Sequence, residues 1–178
     1  VNPQLVPWGN FYVIVGSSAA ALIGIQFVVI ALVANMRQIT TADTIHAFAT
    51  PTVVHLGGAL VVSALMCAPW TSLSWVSIAL AMCGLGGLGY ASLAIRLVRR
   101  QTGYKPVRED WIWHAVLPWI AFAVLAMAAL LLRTIPRAAL FVVGAAALGL
   151  LLIAIHNAWD SVTHIVVTAV QHDASKKD

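Results

Sequence analysis

Glu109, Asp110 and His114 open a stretch, EDWIWHAVLPW, that then runs apolar for most of a helix length. A second set lies near the end of the chain, where His156, Asp160 and His164 recur at intervals of four, with Asn157 beside the first of them. Residues four apart share one helix face, so Asp110 with His114, and His156 with Asp160 and His164, each form a polar stripe. His46 and His55 add two further imidazoles. Imidazole nitrogen and carboxylate oxygen together suit zinc, iron or manganese. The expected ligand set is His55, His114, His156, Asp110 and Asp160, with Asp160 or Glu109 as a general base. His46, His164, Gln26 and Asn157 are expected as outlying or supporting residues. At about 1.5 Å per residue the helical stripe from His156 to His164 is some 12 Å long. One ion cannot take both of its ends, so either two ions are bound or the outer members support the site or carry protons.

These side chains must be positioned by helices that cross a membrane. The chain has 178 residues, of which 61% are hydrophobic and only 9% charged. A soluble domain carries about 25% charged residues. A spanning helix needs about 20 predominantly apolar residues, and five such segments fall at 11–34, 52–70, 72–95, 111–132 and 138–159, the last continuing toward residue 170. The fold expected is an all-α integral membrane protein, a single domain of five transmembrane helices in a lipid bilayer. The opening VNPQLVPWGN has no basic region before an apolar run and no cleavage pattern, so no signal peptide is expected within it.

Five spans place the two termini on opposite sides. Arg37, Arg96, Arg99, Arg100, Lys105, Arg108, Lys176 and Lys177 fall on one side, and Arg133 and Arg137 on the other. Lys and Arg accumulate in cytoplasmic loops, which predicts an outer N-terminus, a cytoplasmic C-terminus and a bacterial-type plasma membrane. The basic balance then reports topology and not a nucleic-acid partner. Both longer connections, 36–51 and 96–110, are on the basic side, and Trp8, Trp70, Trp75, Trp111, Trp113 and Trp159 fit two aromatic belts.

Depth can be counted inward from the opposite side. His114 is 19 residues from Arg133, His156 is 18 from Ala138, His55 is 16 from Thr71 and Gln26 is 15 from Phe11. The four are expected at one level, near the cytoplasmic boundary. The short loop between the last two spans makes them antiparallel neighbours, so His114 should come beside His156 and Asp110 beside Asp160.

Other features have plainer readings. GSSAAALIG in the first span and GLGGLGYAS in the third suit close helix approach, within this chain or in a homo-oligomer. Gly84, Gly86 and Gly89 match G-x-G-x-x-G, but no strand precedes them and they lie in mid-span, which excludes a dinucleotide site. Cys67 and Cys83 have no metal-ligand spacing. Pro118 is expected to kink the fourth span and free a carbonyl near Trp113 and His114.

The chemistry resembles that of the alkaline ceramidases and the progestin-receptor-like membrane hydrolases, which also use intramembrane His and Asp. Those proteins have seven spans and a His-x-x-x-His pair, and this chain has neither. The leading expectation is a membrane metalloenzyme, hydrolase or oxidoreductase, acting on a lipid-like or small-molecule substrate. The alternatives are an ion or proton pathway through the same His and Asp residues, a haem protein with two of the histidines as axial ligands, and an accessory subunit whose polar cluster only locks helices together.

Overall fold

The computed structural model describes the backbone of residues 1–35, 42–100 and 111–175, and the side chains of 1–32, 50–96 and 111–163. Glu109 and Asp110 therefore lie outside the described residues. His46 and His164 are described by their helical backbone alone. Apart from turns, the described residues are helical throughout, with no strand among them.

A short 3-10 turn, Val6–Trp8, leads into α1, Gly9–Asn35. Then follow α2, Ala42–Cys67, and α3, Leu73–Arg100. A π-helical turn, Ile112–Val116, runs directly into α4, Leu117–Leu131, and the chain ends in the long α5, Pro136–Ser175. Five stretches are long and apolar enough to cross a membrane: Val6–Leu32, Thr50–Cys67, Leu73–Arg96, Ile112–Leu131 and Pro136–Thr163. The number of such helices matches expectation, and α5 is helical through Ser175.

One boundary differs. Residues 42–51, expected within a loop, are helical, and α2 runs through Pro51 without a break. A proline inside a helix lacks the N–H for the carbonyl four residues back and crowds it. Here the helix continues on both sides of the ring, so His46 stands on α2 and not on a connection.

The helices form a ring of four. α2 packs on α5, α5 on α4, α4 on α3 and α3 on α2, while α1 lies outside the ring along α2. α5 is the most enclosed, with 56% of its most apolar window buried, against 17% for α3. The exposed side chains are large and apolar, among them Trp75, Met82, Leu85, Leu130 and Phe141. A soluble monomer rarely presents contiguous apolar surface on this scale, and hydrocarbon chains are the matching solvent.

Glycine sets several close approaches. The Phe122 ring of α4 sits between Gly58 of α2 and Gly87 of α3: a Cβ at Gly58 would lie 3.2 Å from that ring, and one at Gly87 would overlap it. A Cβ at Gly84 would lie 2.8 Å from the Ala126 backbone, and one at Gly16 would lie 2.9 Å from Ser63 Cβ. Gly24, Gly86 and Gly89 have open space instead. The small-residue runs thus contribute one close-packed face of α1 and one of α3.

These contacts also fix the directions of the helices. The starts of α2 and α4 and the ends of α1, α3 and α5 share one end of the bundle. The other end is closed by the first residues of the chain. Asn2 donates its N–H to the Trp70 carbonyl at 2.7 Å. Leu5 and Tyr12 are buried. Trp8 meets Phe141 edge to face with ring centroids 4.8 Å apart.

Candidate functional site: a buried polar layer on α2, α4 and α5

Six polar side chains are buried among the described residues: Gln26, Thr52, His55, Ser63, Ser77 and Asn157. Ser63 and Ser77 donate their hydroxyls to the Ala59 and Ala129 carbonyls, at 2.8 and 2.6 Å. They are helix-packing serines. The other four gather toward the end of the bundle where α2 and α4 begin.

Their depth follows from the glycine contacts. Gly58 lies level with Phe122 and Leu150, and Gly16 with Ser63. Counting from these anchors at 1.5 Å per residue, His55 is about 4.5 Å beyond the Gly58 level, Gln26 7.5 Å, Thr52 and His156 9 Å, Asn157 10.5 Å and His114 12 Å. The residues therefore fall within about a turn and a half of helix. The shared level expected for Gln26, His55, His114 and His156 is present to that tolerance, and Thr52 joins it. Thr52 is fully buried and three residues before His55 on α2. That spacing places it on the same helix face, which was the available signal for it.

The entry to α4 determines how His114 is presented. An α-helical Pro118 would press its ring on the His114 carbonyl and offer it no N–H. The chain widens instead into the π-turn, in which the Leu117 N–H bonds to the Ile112 carbonyl, five residues back. In an α-helix the same N–H would reach Trp113. The Trp113 carbonyl is freed and accepts a hydrogen bond from Asn157 Nδ2 on α5, at 3.3 Å. The freed carbonyl lies where Pro118 predicted one.

His114 is half-buried, and its imidazole lies within electrostatic range of that of His55. His55 is 1% exposed, and its ring is 6.4 Å from that of Phe122. His156 stacks on Trp113, with centroids 3.7 Å apart and planes at 21°. Trp113 thus occupies the place beside His156 that was expected for His114. Asp160 is exposed, as is Trp159 before it. Among the described residues no three His, Cys, Asp or Glu side chains lie close enough together to hold one ion. Those residues place His55 and His114 within electrostatic range of each other, put His156 on a tryptophan face and leave Asp160 at the surface.

Two atoms of the layer are buried with no hydrogen-bond partner among the described residues: His55 Nδ1 and Asn157 Oδ1. Leaving such a group unsatisfied costs about 1–3 kcal/mol. A layer that carries two of them has hydrogen-bonding capacity that the described residues do not use. It offers an imidazole nitrogen, a second imidazole nearby and an amide oxygen that accepts but does not donate. The chemistry of that set is matched to a cation or to a small molecule with hydrogen-bond donors. Trp113, read from sequence as an interfacial belt residue, proves to be the hub that joins His156, Asn157 and the π-turn. No protein-family model, no curated protein and no solved structure matches the chain.

Proposed function

We propose that the protein is a membrane-embedded metal-binding protein acting as a metal-dependent enzyme. The ion is held between α2 and α4 by His55 and His114. The observation that carries this reading is His55 Nδ1, enclosed and without a hydrogen-bond partner among the described residues, in electrostatic range of a second imidazole and at a similar depth to Asn157 Oδ1. Two imidazoles suit zinc, iron or manganese. Asp110, four residues before His114, is the proposed third ligand, and Asp160 and Glu109 are the proposed bases. A bound ion of this kind supplies a Lewis acid that activates water or, in the case of iron, oxygen. The positive-inside rule turns this end of the bundle to the cytoplasm, and the substrate reaches it as a lipid-like or small polar molecule at the membrane boundary.

A proton or ion path would have to continue past the layer to the other end. The bundle there is filled by Leu125, Ala129, Leu132, Leu140 and Val143, and Ser63 and Ser77 are already bonded to backbone carbonyls. This favours a closed site over a conduit.

The test is elemental analysis and an absorption spectrum of detergent-purified protein, beside folded His55→Ala and His114→Ala variants. About one equivalent of zinc, iron or manganese, lost in both variants, is expected. A protein that stays metal-free after incubation with each of these ions overturns the reading. Proton or cation flux in liposomes that depends on His55, without retained metal, would replace it with the pathway.

A further inference from the structure

We infer that Pro118 and Asn157 act together as the positioning device of this site. Pro118 forces the π-turn, and Asn157 locks it. The inference rests on reading His55 and His114 as the binding pair, but it concerns how His114 is aimed and not what is bound.

A π-turn accommodates one more residue than an α-helical turn before the hydrogen bond closes. One residue of an α-helix is a rotation of about 100°. The extra residue in Ile112–Val116 therefore turns everything before it by about that angle relative to α4. Trp113 lies on His156 of α5 because of this turn, and the turn sets the direction of the next residue, His114, which lies within electrostatic range of His55 of α2. Without it, the sequence register predicts His114 beside His156.

A π-turn is less favourable than an α-turn and needs a cause and a partner. Pro118 supplies the cause through its ring and missing N–H. Asn157 supplies the partner, because its Nδ2 satisfies the Trp113 carbonyl that the turn gives up. Asn157 is wholly buried, and its remaining atom, Oδ1, is one of the two open acceptors of the layer. The amide that fixes the turn thus belongs to the same buried layer as His55, so one side chain both holds the turn before His114 and contributes to the layer. Pro118 and Asn157 are positioning residues in this account, with His55 and His114 as the groups that bind.

The test has two readouts on protein labelled with 15N at histidine and reconstituted in bilayers. The first is the ring-nitrogen spectrum of the metal-free protein, with the His114 signals assigned by their loss in His114→Gln. Pro118→Ala restores an N–H and removes the ring, so it should return the segment to continuous α-helix and move the His114 signals. Asn157→Leu should move the same signals by removing the lock. The second readout is zinc affinity. Each variant should weaken it by about 10- to 100-fold, the range seen when partners that orient metal ligands are lost. Neither should weaken it further in a His114→Ala background.

Unmoved His114 signals in whichever of the two variants folds overturn the inference, as does wild-type zinc affinity in a protein whose His114 signals have moved. Moved signals in a protein that binds no ion, wild type included, leave the positioning device standing and remove the metal reading alone.

Discussion

The side-chain amide of Asn157 donates to the main-chain carbonyl of Trp113 across 3.3 Å, joining α5 to the turn before α4. The carbonyl is available because the turn leaves it without a backbone donor: the Leu117 N–H goes to Ile112, and Pro118 has no N–H to give. This bond exists because a proline five residues later prevents the regular pattern. Pro118 changes the backbone, the backbone exposes a carbonyl, and the carbonyl fixes a buried amide in the layer that also holds His55, Thr52 and Gln26.

The bond can be weighed by removing the amide. Asn157→Leu has similar volume but takes the donor from the part-buried Trp113 carbonyl, a loss of about 1–3 kcal/mol. Asn157→Asp, which keeps the shape and removes both N–H donors, should lose as much when ionised. Reversible unfolding in mixed detergent, compared with wild type, measures both. A loss below about 0.5 kcal/mol in each variant would show that the carbonyl is satisfied in another way.

Glycine makes a sharper prediction because two neighbours on α3 should differ. Gly87→Ala places a methyl group on the Phe122 ring and should destabilise by about 1–3 kcal/mol, the usual range for overpacking. Gly86→Ala meets nothing and should be neutral or slightly stabilising, since alanine is the better helix former. Phe122→Leu should recover part of the Gly87→Ala loss in the double variant. Equal effects at the two glycines would contradict the ring placement.

Much of this was legible in the sequence, and the parts that were not share one physical origin. Five apolar runs gave five spans, because helix length in a bilayer is set by its thickness. The depth of His55, His114, His156 and Gln26 was legible because rise per residue is nearly constant. Azimuth was not. The i, i+4 rule holds only while the period is 3.6, and the π-turn breaks it between Ile112 and Val116. Trp113 therefore stacks on His156, where unbroken register put His114. The start of α2 was misplaced for a related reason: Pro51 reads locally as a boundary, but the helix runs past it.

The stack itself separates two roles for His156. If His156 is a packing partner of Trp113, His156→Phe should keep both the stack and the zinc affinity. His156→Ala should lose about 0.5–1.5 kcal/mol, the worth of an aromatic pair beyond area burial. If His156 is a metal ligand, as the sequence also suggested, both variants should lose the ion alike. Zinc titration of the two folded variants decides between them, and retention in His156→Phe is the outcome expected here.

The last prediction concerns His55 and divides binding from scaffolding. A buried imidazole held in place by a purely structural network should cost stability when replaced. His55 carries an enclosed Nδ1 with no hydrogen-bond partner among the described residues, which costs the fold stability. His55→Leu fills similar space with apolar atoms, so in the absence of metal it should be as stable as wild type or more so. Added zinc should then raise the melting temperature of wild type only. A ligand at 100 times its Kd stabilises the folded state by about 2.7 kcal/mol, and His55→Leu forgoes that gain. Thermal unfolding of both proteins, with chelator and with zinc, gives four curves. A crossing, with the variant higher in chelator and wild type higher in zinc, is the mark of a residue kept for what it binds. A variant less stable under both conditions would identify His55 as part of a structural core, and the ligand would have to be sought elsewhere.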